Sequence, residues 1–209
     1  MAAVNEWVKA DHAVQYLGRA DRIPHRTEGE GTLLELLPQK LGRVLDLGSG
    51  DGRLLALVLE KFPEARGVAL DFSPTMIERL RGRFASRGDM EIVNHNMDHP
   101  LPQLGCFDAV VSSFAIHHCT HERKRELYRE VFQLLVPGGI FCNLEHVASP
   151  NAKLHEEFLA AISCETEDPS NKLLDVAIQL EWLREIDFTD VDCFWKWREL
   201  ALLAGTKPI

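Results

Sequence analysis

"RVLDLGSGDGRL", Arg43 to Leu54, is the stretch whose reading decides the fold. An apolar run with one aspartate leads straight into three glycines within five positions, Gly48, Gly50 and Gly52. Glycine in a folded element costs conformational entropy, so such a cluster marks a tight turn or a close approach to the main chain. "RVLDLG" has the short apolar character of a parallel strand covered on both faces. The run "DGRLLALVLEKFP" then places Leu54, Leu55, Val58 and Leu59 at helical spacing. Strand, glycine turn and helix thus follow one another without a break.

The same alternation continues outward. "ARGVALDF" reads as a second strand, followed by a helix with Ser73 at its N-cap, Pro74 at its first position and Met76, Leu80 and Phe84 on one face. "MEIVNHN" and "FDAVVSSFAIHH" read as strands three and four. Thr120 caps a helix carrying Leu127, Val131 and Leu135, Pro137-Gly138-Gly139 stops it, and "IFCNLEHV" is strand five. The pattern predicts a parallel sheet with helices on both faces. Near the end, "LLDVAIQLEWLREIDF" is amphipathic through Val176, Leu180 and Leu183. "DVDCFWKW" and "LALLAGTK" then follow with only Arg198 and Glu199 between them, a link that permits an antiparallel hairpin and forbids a parallel crossover. The expected fold is α/β, a Rossmann-like doubly wound seven-stranded sheet, mostly parallel, with an antiparallel C-terminal hairpin strand.

Composition bounds the function. The 209 residues suit one domain, with a segment at 1–40 expected as a helical lid and 41–209 as the core. Lys+Arg 23 against Asp+Glu 32 gives a net charge of −9, which disfavours a broad phosphate-binding face. Five scattered cysteines without a CxxC pair suit reduced thiols, and the N-terminal stretch lacks the apolar core of a signal peptide or membrane span. The expectation is a cytoplasmic protein without membrane contact.

In an open parallel sheet the ligand crevice lies at the carboxyl ends of the strands. Gly48-Ser49-Gly50-Asp51-Gly52 falls on that rim, and Asp71 ends strand two with 18 residues between it and Gly52. A carboxylate there accepts from both hydroxyls of a ribose, so turn and acid together specify a nucleoside-containing ligand. A dinucleotide fingerprint would read G-x-G-x-x-G, whereas this turn reads G-x-G-x-G with Asp51 inside it. An added carboxylate suits a cationic group better than a pyrophosphate.

This pattern resembles motif I of the class I S-adenosylmethionine-dependent methyltransferases. The resemblance runs from about Arg43 to the C-terminus through "VLDLGSGDG", "ALDFSP", "FDAVVSSFAIHH", "LVPGGIF" and the terminal hairpin. It implies S-adenosylmethionine as cofactor and S-adenosylhomocysteine as product. Gly48, Ser49 and Gly50 would then lie against the methionine part, with Asp46 supporting the turn. Asp71 would hold the ribose, and Phe72 and Met76 would flank the adenine. Asn96 stands where the family commonly has an aspartate and still offers an acceptor to the adenine amino group; Asp98 is the alternative acid. Met97 would present its backbone amide and Ser113 its carbonyl.

Beyond the cofactor the residues say less. His117-His118 and Glu145-His146 end strands four and five, which makes His118, Glu145 and His146 the candidate catalytic groups. Alternation along a strand lets one member of each pair face the site. No fixed ligand spacing accompanies them, so no resident metal is expected. Tyr16, Arg19 and Arg22 would close over the cofactor, an arginine pairing with its carboxylate, or else belong to a helix at the sheet edge. Trp182, Trp195 and Trp197 read as core in preference to a base-stacking surface. The acidic charge favours a small-molecule acceptor. The alternatives are a tRNA-modifying transferase of the same fold and a non-catalytic S-adenosylmethionine-binding protein.

Overall fold

Val44 and Leu45 are both fully buried, yet they enter opposite layers of the molecule. Successive side chains on a strand point to opposite faces, so an unbroken apolar run needs cover on both. The computed structural model describes residues 23–209 and supplies that cover. Strand β1 (Arg43–Leu47) pairs in parallel with β2 (Arg66–Asp71) on one side and β4 (Phe107–Ser113) on the other. With β3 (Met90–Asn94), β5 (Leu135–His146), β6 (Thr189–Trp197) and β7 (Leu200–Thr206), the sheet runs β3-β2-β1-β4-β5-β7-β6. Strand β7 is antiparallel to both its neighbours; toward β6 the two-residue link requires this.

On one face Val44, Ala69, Val111 and Leu144 meet α1 (Arg26–Leu36), α2 (Arg53–Lys61), α3 (Pro74–Arg83) and α5 (Ala152–Ala161). On the other, Leu45, Leu70, Val110 and Phe141 meet α4 (His121–Leu134) and α6 (Val176–Glu185). The predicted stripes fall where expected: Leu54, Leu55, Val58 and Leu59 are buried from α2, and Met76 and Leu80 from α3. Trp182, Trp195 and Trp197 are partly buried against the core layers.

Four local expectations change. Strand β5 begins at Leu135, so Pro137-Gly138-Gly139 lies within it as an irregularity: Phe107 pairs with Leu135 but Ala109 with Ile140. The bulge persists because Gly138 takes φ 77° and exchanges backbone hydrogen bonds with the chain's end, Gly138 N to Lys207 O and Lys207 N to Gly139 O, both 2.8 Å. Strand β4 ends at Ser113, and His117 and His118 lie beyond it in a short 3₁₀ turn (Ile116–His118), so strand alternation does not govern them. Helix α5 was not anticipated; Asn151 caps it by accepting from the Leu154 amide. Ser73 occupies the N-cap position of α3, but its hydroxyl makes no capping bond.

Candidate functional site

Strand order reverses beside β1, whose followers β2 and β4 leave toward opposite edges of the sheet. At the carboxyl ends of these three strands lies a cavity of about 320 Å³. Its base is the turn after β1. Gly48, Gly50 and Gly52 all have positive φ, at 66°, 56° and 84°. A Cβ on Gly48 would stand 2.3 Å from that of Ala115, and one on Gly52 would stand 2.6 Å from the Phe84 ring. Gly50 has nothing within 4 Å of that position. Two of the glycines therefore serve packing, and Gly50 leaves the backbone open to the cavity.

Asp71 fastens this turn to β2. Its Oδ2 accepts from the Gly50 amide and its Oδ1 from the Ser73 amide, each at 2.9 Å. Burial raises its pKa while these amides oppose the shift. An ionised carboxylate has about four acceptor sites, so two backbone bonds leave capacity for a ligand's hydroxyls. Asp46, beneath the turn, is 1% exposed, and neither of its side-chain oxygens has a hydrogen-bond partner among the described residues. Burial pushes it up to about 8; the Asp71 charge adds to the shift, and nearby Ser49 and Arg26 oppose it. The Ser113 hydroxyl is likewise buried without a partner. Unsatisfied buried polar atoms are costly, and here they line a cavity, which suits a polar, cationic ligand group.

At the other end Phe72, Met76, Asn96, Met97 and Asp98 line the wall. Asn96 Oδ1 accepts from the Asp98 amide at 2.9 Å, closing a tight turn. Arg123 of α4 holds that loop: Nε donates to Met97 O at 2.6 Å, Nη2 to His99 O at 2.9 Å, and Glu130 anchors the guanidinium. All ten expected cofactor residues border this one cavity: Asp46, Gly48, Ser49, Gly50, Asp71, Phe72, Met76, Asn96, Met97 and Ser113.

The three catalytic candidates separate. His118 lines the cavity, and its Nδ1 is 3.1 Å from the Ser170 hydroxyl, which donates to Asp168 at 2.7 Å. Burial, reinforced by neighbouring His117, holds its pKa well below the ordinary value, so its ring is neutral at pH 7. Glu145 does not line the cavity; it is 1% exposed and bonds His117 Nδ1 at 2.6 Å. Asn143 extends this contact to Tyr128 and Gln179. His146 faces elsewhere, with Nε2 2.9 Å from Glu199. Tyr16, Arg19 and Arg22 lie outside the described residues. Arg26, from the same basic stretch, does reach the cavity, held by Glu30 at 2.8 Å. Sequence reasoning also passed over Ser170 and Asp168, whose loop carries no local motif.

Residues 44–139 match the model of a family described as "Methyltransferase domain". The chain is 33% identical over 122 residues to malonyl-[acyl-carrier protein] O-methyltransferase of Marinomonas sp., covering 56% of this chain and 44% of that protein. It is 33% identical over 111 residues to demethylmenaquinone methyltransferase of Thermus thermophilus, covering 52% and 49%. The matches thus span just under half the length of these curated relatives. Human N-acetylserotonin methyltransferase, solved in complex with SAM, superposes with a TM-score of 0.69 at 15% identity, covering 98% of this chain and 58% of that one.

Proposed function

We propose that this chain, whose residues 44–139 match the methyltransferase-domain model, is a class I methyltransferase that transfers a methyl group from S-adenosylmethionine to a small-molecule acceptor. One observation carries the reading. A single cavity joins a ribose-type acid, Asp71, to a buried carboxylate and hydroxyl, Asp46 and Ser113, that lack hydrogen-bond partners among the described residues. The ligand that matches has a ribose in its middle, an ammonium at one end and a flat base at the other. Bound there, the cofactor supplies a sulfonium methyl that an aligned nucleophile can take directly.

The chain's own residues divide the remaining work. Asp71 and the Gly50 backbone hold the ribose side, Asp46 and Ser113 the ammonium side, and the Asn96–Asp98 turn the base. Arg26 brings a cation to the same cavity, suited to a carboxylate. His118 is the candidate base for an acceptor O–H or N–H, being neutral and on the cavity wall. Glu145 acts one layer back by fixing His117, whose ring centroid is 4.0 Å from that of His118. Two of the relatives are named as methyltransferases of malonyl-[acyl-carrier protein] and of demethylmenaquinone, neither a nucleic acid, which supports a small-molecule reading here.

Calorimetric titration with S-adenosylhomocysteine tests the cofactor reading. Wild type is expected to bind near the micromolar range, roughly −8 kcal/mol, and Asp71→Ala at least about tenfold more weakly. No binding to folded wild-type protein would overturn it.

A further inference from the structure

Behind the His118 side of the cavity, a second polar cluster draws on four separate segments. His146 ends β5, His155 lies on α5, Glu167 in the loop that follows, and Glu199 in the β6–β7 turn. Glu199, 1% exposed, sits at the centre. Its Oε2 meets His146 Nε2 at 2.9 Å, and its Oε1 meets His155 Nδ1 at 2.9 Å and the Ser149 hydroxyl. One nitrogen of His146 and one oxygen each of Glu167 and Glu199 lie within 4.8 Å of one another. Donors at about 2.1 Å around one tetrahedral ion stand about 3.4 Å apart, so a pair at that limit closes by about 1.4 Å.

The cluster is incomplete as it stands. Two carboxylates converge, and a cation between them is what such a pair requires. His155 answers Glu199, but its Nε2 is 3.5 Å from Glu167 Oε2, too far for a good hydrogen bond. That oxygen and Asn171 Oδ1 are both buried without a hydrogen-bond partner among the described residues. Asn171 ties the loop to the cluster, its amide nitrogen donating to Glu167 Oε1 and standing 3.5 Å from His146 Nδ1.

We propose that His146, Glu167 and Glu199 bind one divalent transition-metal ion. One imidazole and two carboxylates suit zinc, manganese or iron(II), and not a soft ion such as copper(I). The ion's position gives it a task. Glu167 shares its loop with Ser170, whose hydroxyl reaches His118, so an ion held by Glu167 fastens that loop beside the cavity. The site stands whether or not methyl transfer is the activity.

Untagged protein, stripped with a chelator and dialysed, is titrated with cobalt(II) and then zinc(II). The expected result is visible ligand-field bands that zinc bleaches, and a melting temperature raised by about 5–10 °C at a hundredfold excess of zinc over its Kd. Glu167→Gln and His146→Asn, checked for folding by circular dichroism, lose both signals. The Glu167 side chain is 29% exposed, so its substitution leaves the core intact. His155→Gln keeps the bands. Absent bands in wild type, or bands surviving in both ligand variants, would overturn the site, and their loss in His155→Gln would overturn the three-ligand assignment.

Discussion

Asp46 shows how one residue can tie stability, pH and ligand binding together. Buried without a hydrogen-bond partner among the described residues, it favours the neutral acid, with its pKa pushed up to about 8. Unfolded, the same group ionises near pH 4. The folded state therefore binds a proton that the unfolded state releases. The group's contribution to stability is full below about pH 4 and declines as the pH rises toward 8. Asp46→Asn keeps the shape and removes the ionisation, so the ligand-free variant is expected to melt above wild type at pH 8. Ligand binding reverses the preference, because an ammonium favours the carboxylate. Calorimetry of S-adenosylhomocysteine binding at pH 7 in two buffers of different ionisation heat is expected to show roughly one proton released, and none from Asp46→Asn. Equal heats in both buffers for wild type would mean that the group is already ionised.

Between residue and molecule, elements hold one another in place, and Arg123 is the clearest case. Four turns of α4 would pack by Leu127, Tyr128 and Val131 alone, all fully buried. Arg123 adds a second duty, reaching from the helix's first turn to the carbonyls of Met97 and His99 while Glu130 fixes its far side. The loop between β3 and β4 is thereby shaped by a helix that follows it in sequence. Arg123→Met retains the stem's packing and removes the donors. It is expected to cost about 1–3 kcal/mol in thermal or urea unfolding. S-adenosylhomocysteine affinity should fall as well, because the Asn96–Asp98 turn loses its anchor. An unchanged affinity alongside the lost stability would separate the loop from the ligand.

Across the whole molecule, what could be read from sequence depended on how local each feature was. The glycine turn is five consecutive residues and Asp71 ends the next strand, so the cofactor side could be read directly from spacing. The His118 side is assembled from the turn at 116–118, the end of β5, the loop carrying Ser170 and the β6–β7 link. No periodicity joins such distant positions, and the pairing of Glu145 with His117 instead of the cavity could be seen only once the sheet was folded. Pro137-Gly138-Gly139 misled for a related reason: a tripeptide that breaks helices locally is carried within a strand by bonds to Lys207. Charge is the opposite kind of property, a sum over the chain that needs no fold. At −9, with Lys+Arg 23 against Asp+Glu 32, the molecule repels a phosphate backbone everywhere except where cations cluster. Arg79, Arg83, Arg53 and Arg26 do gather at the cavity, but Arg83 is paired with Asp51 at 2.5 Å, and Arg26 and Arg53 with Glu30. Those carboxylates cancel much of the field a polyanion would need. Filter binding or anisotropy with bulk tRNA is therefore expected to show no association at about 150 mM salt. Binding in the micromolar range, weakening with a log–log salt slope of several units, would move the acceptor from small molecules to tRNA, because only contact with several phosphates releases that many counterions.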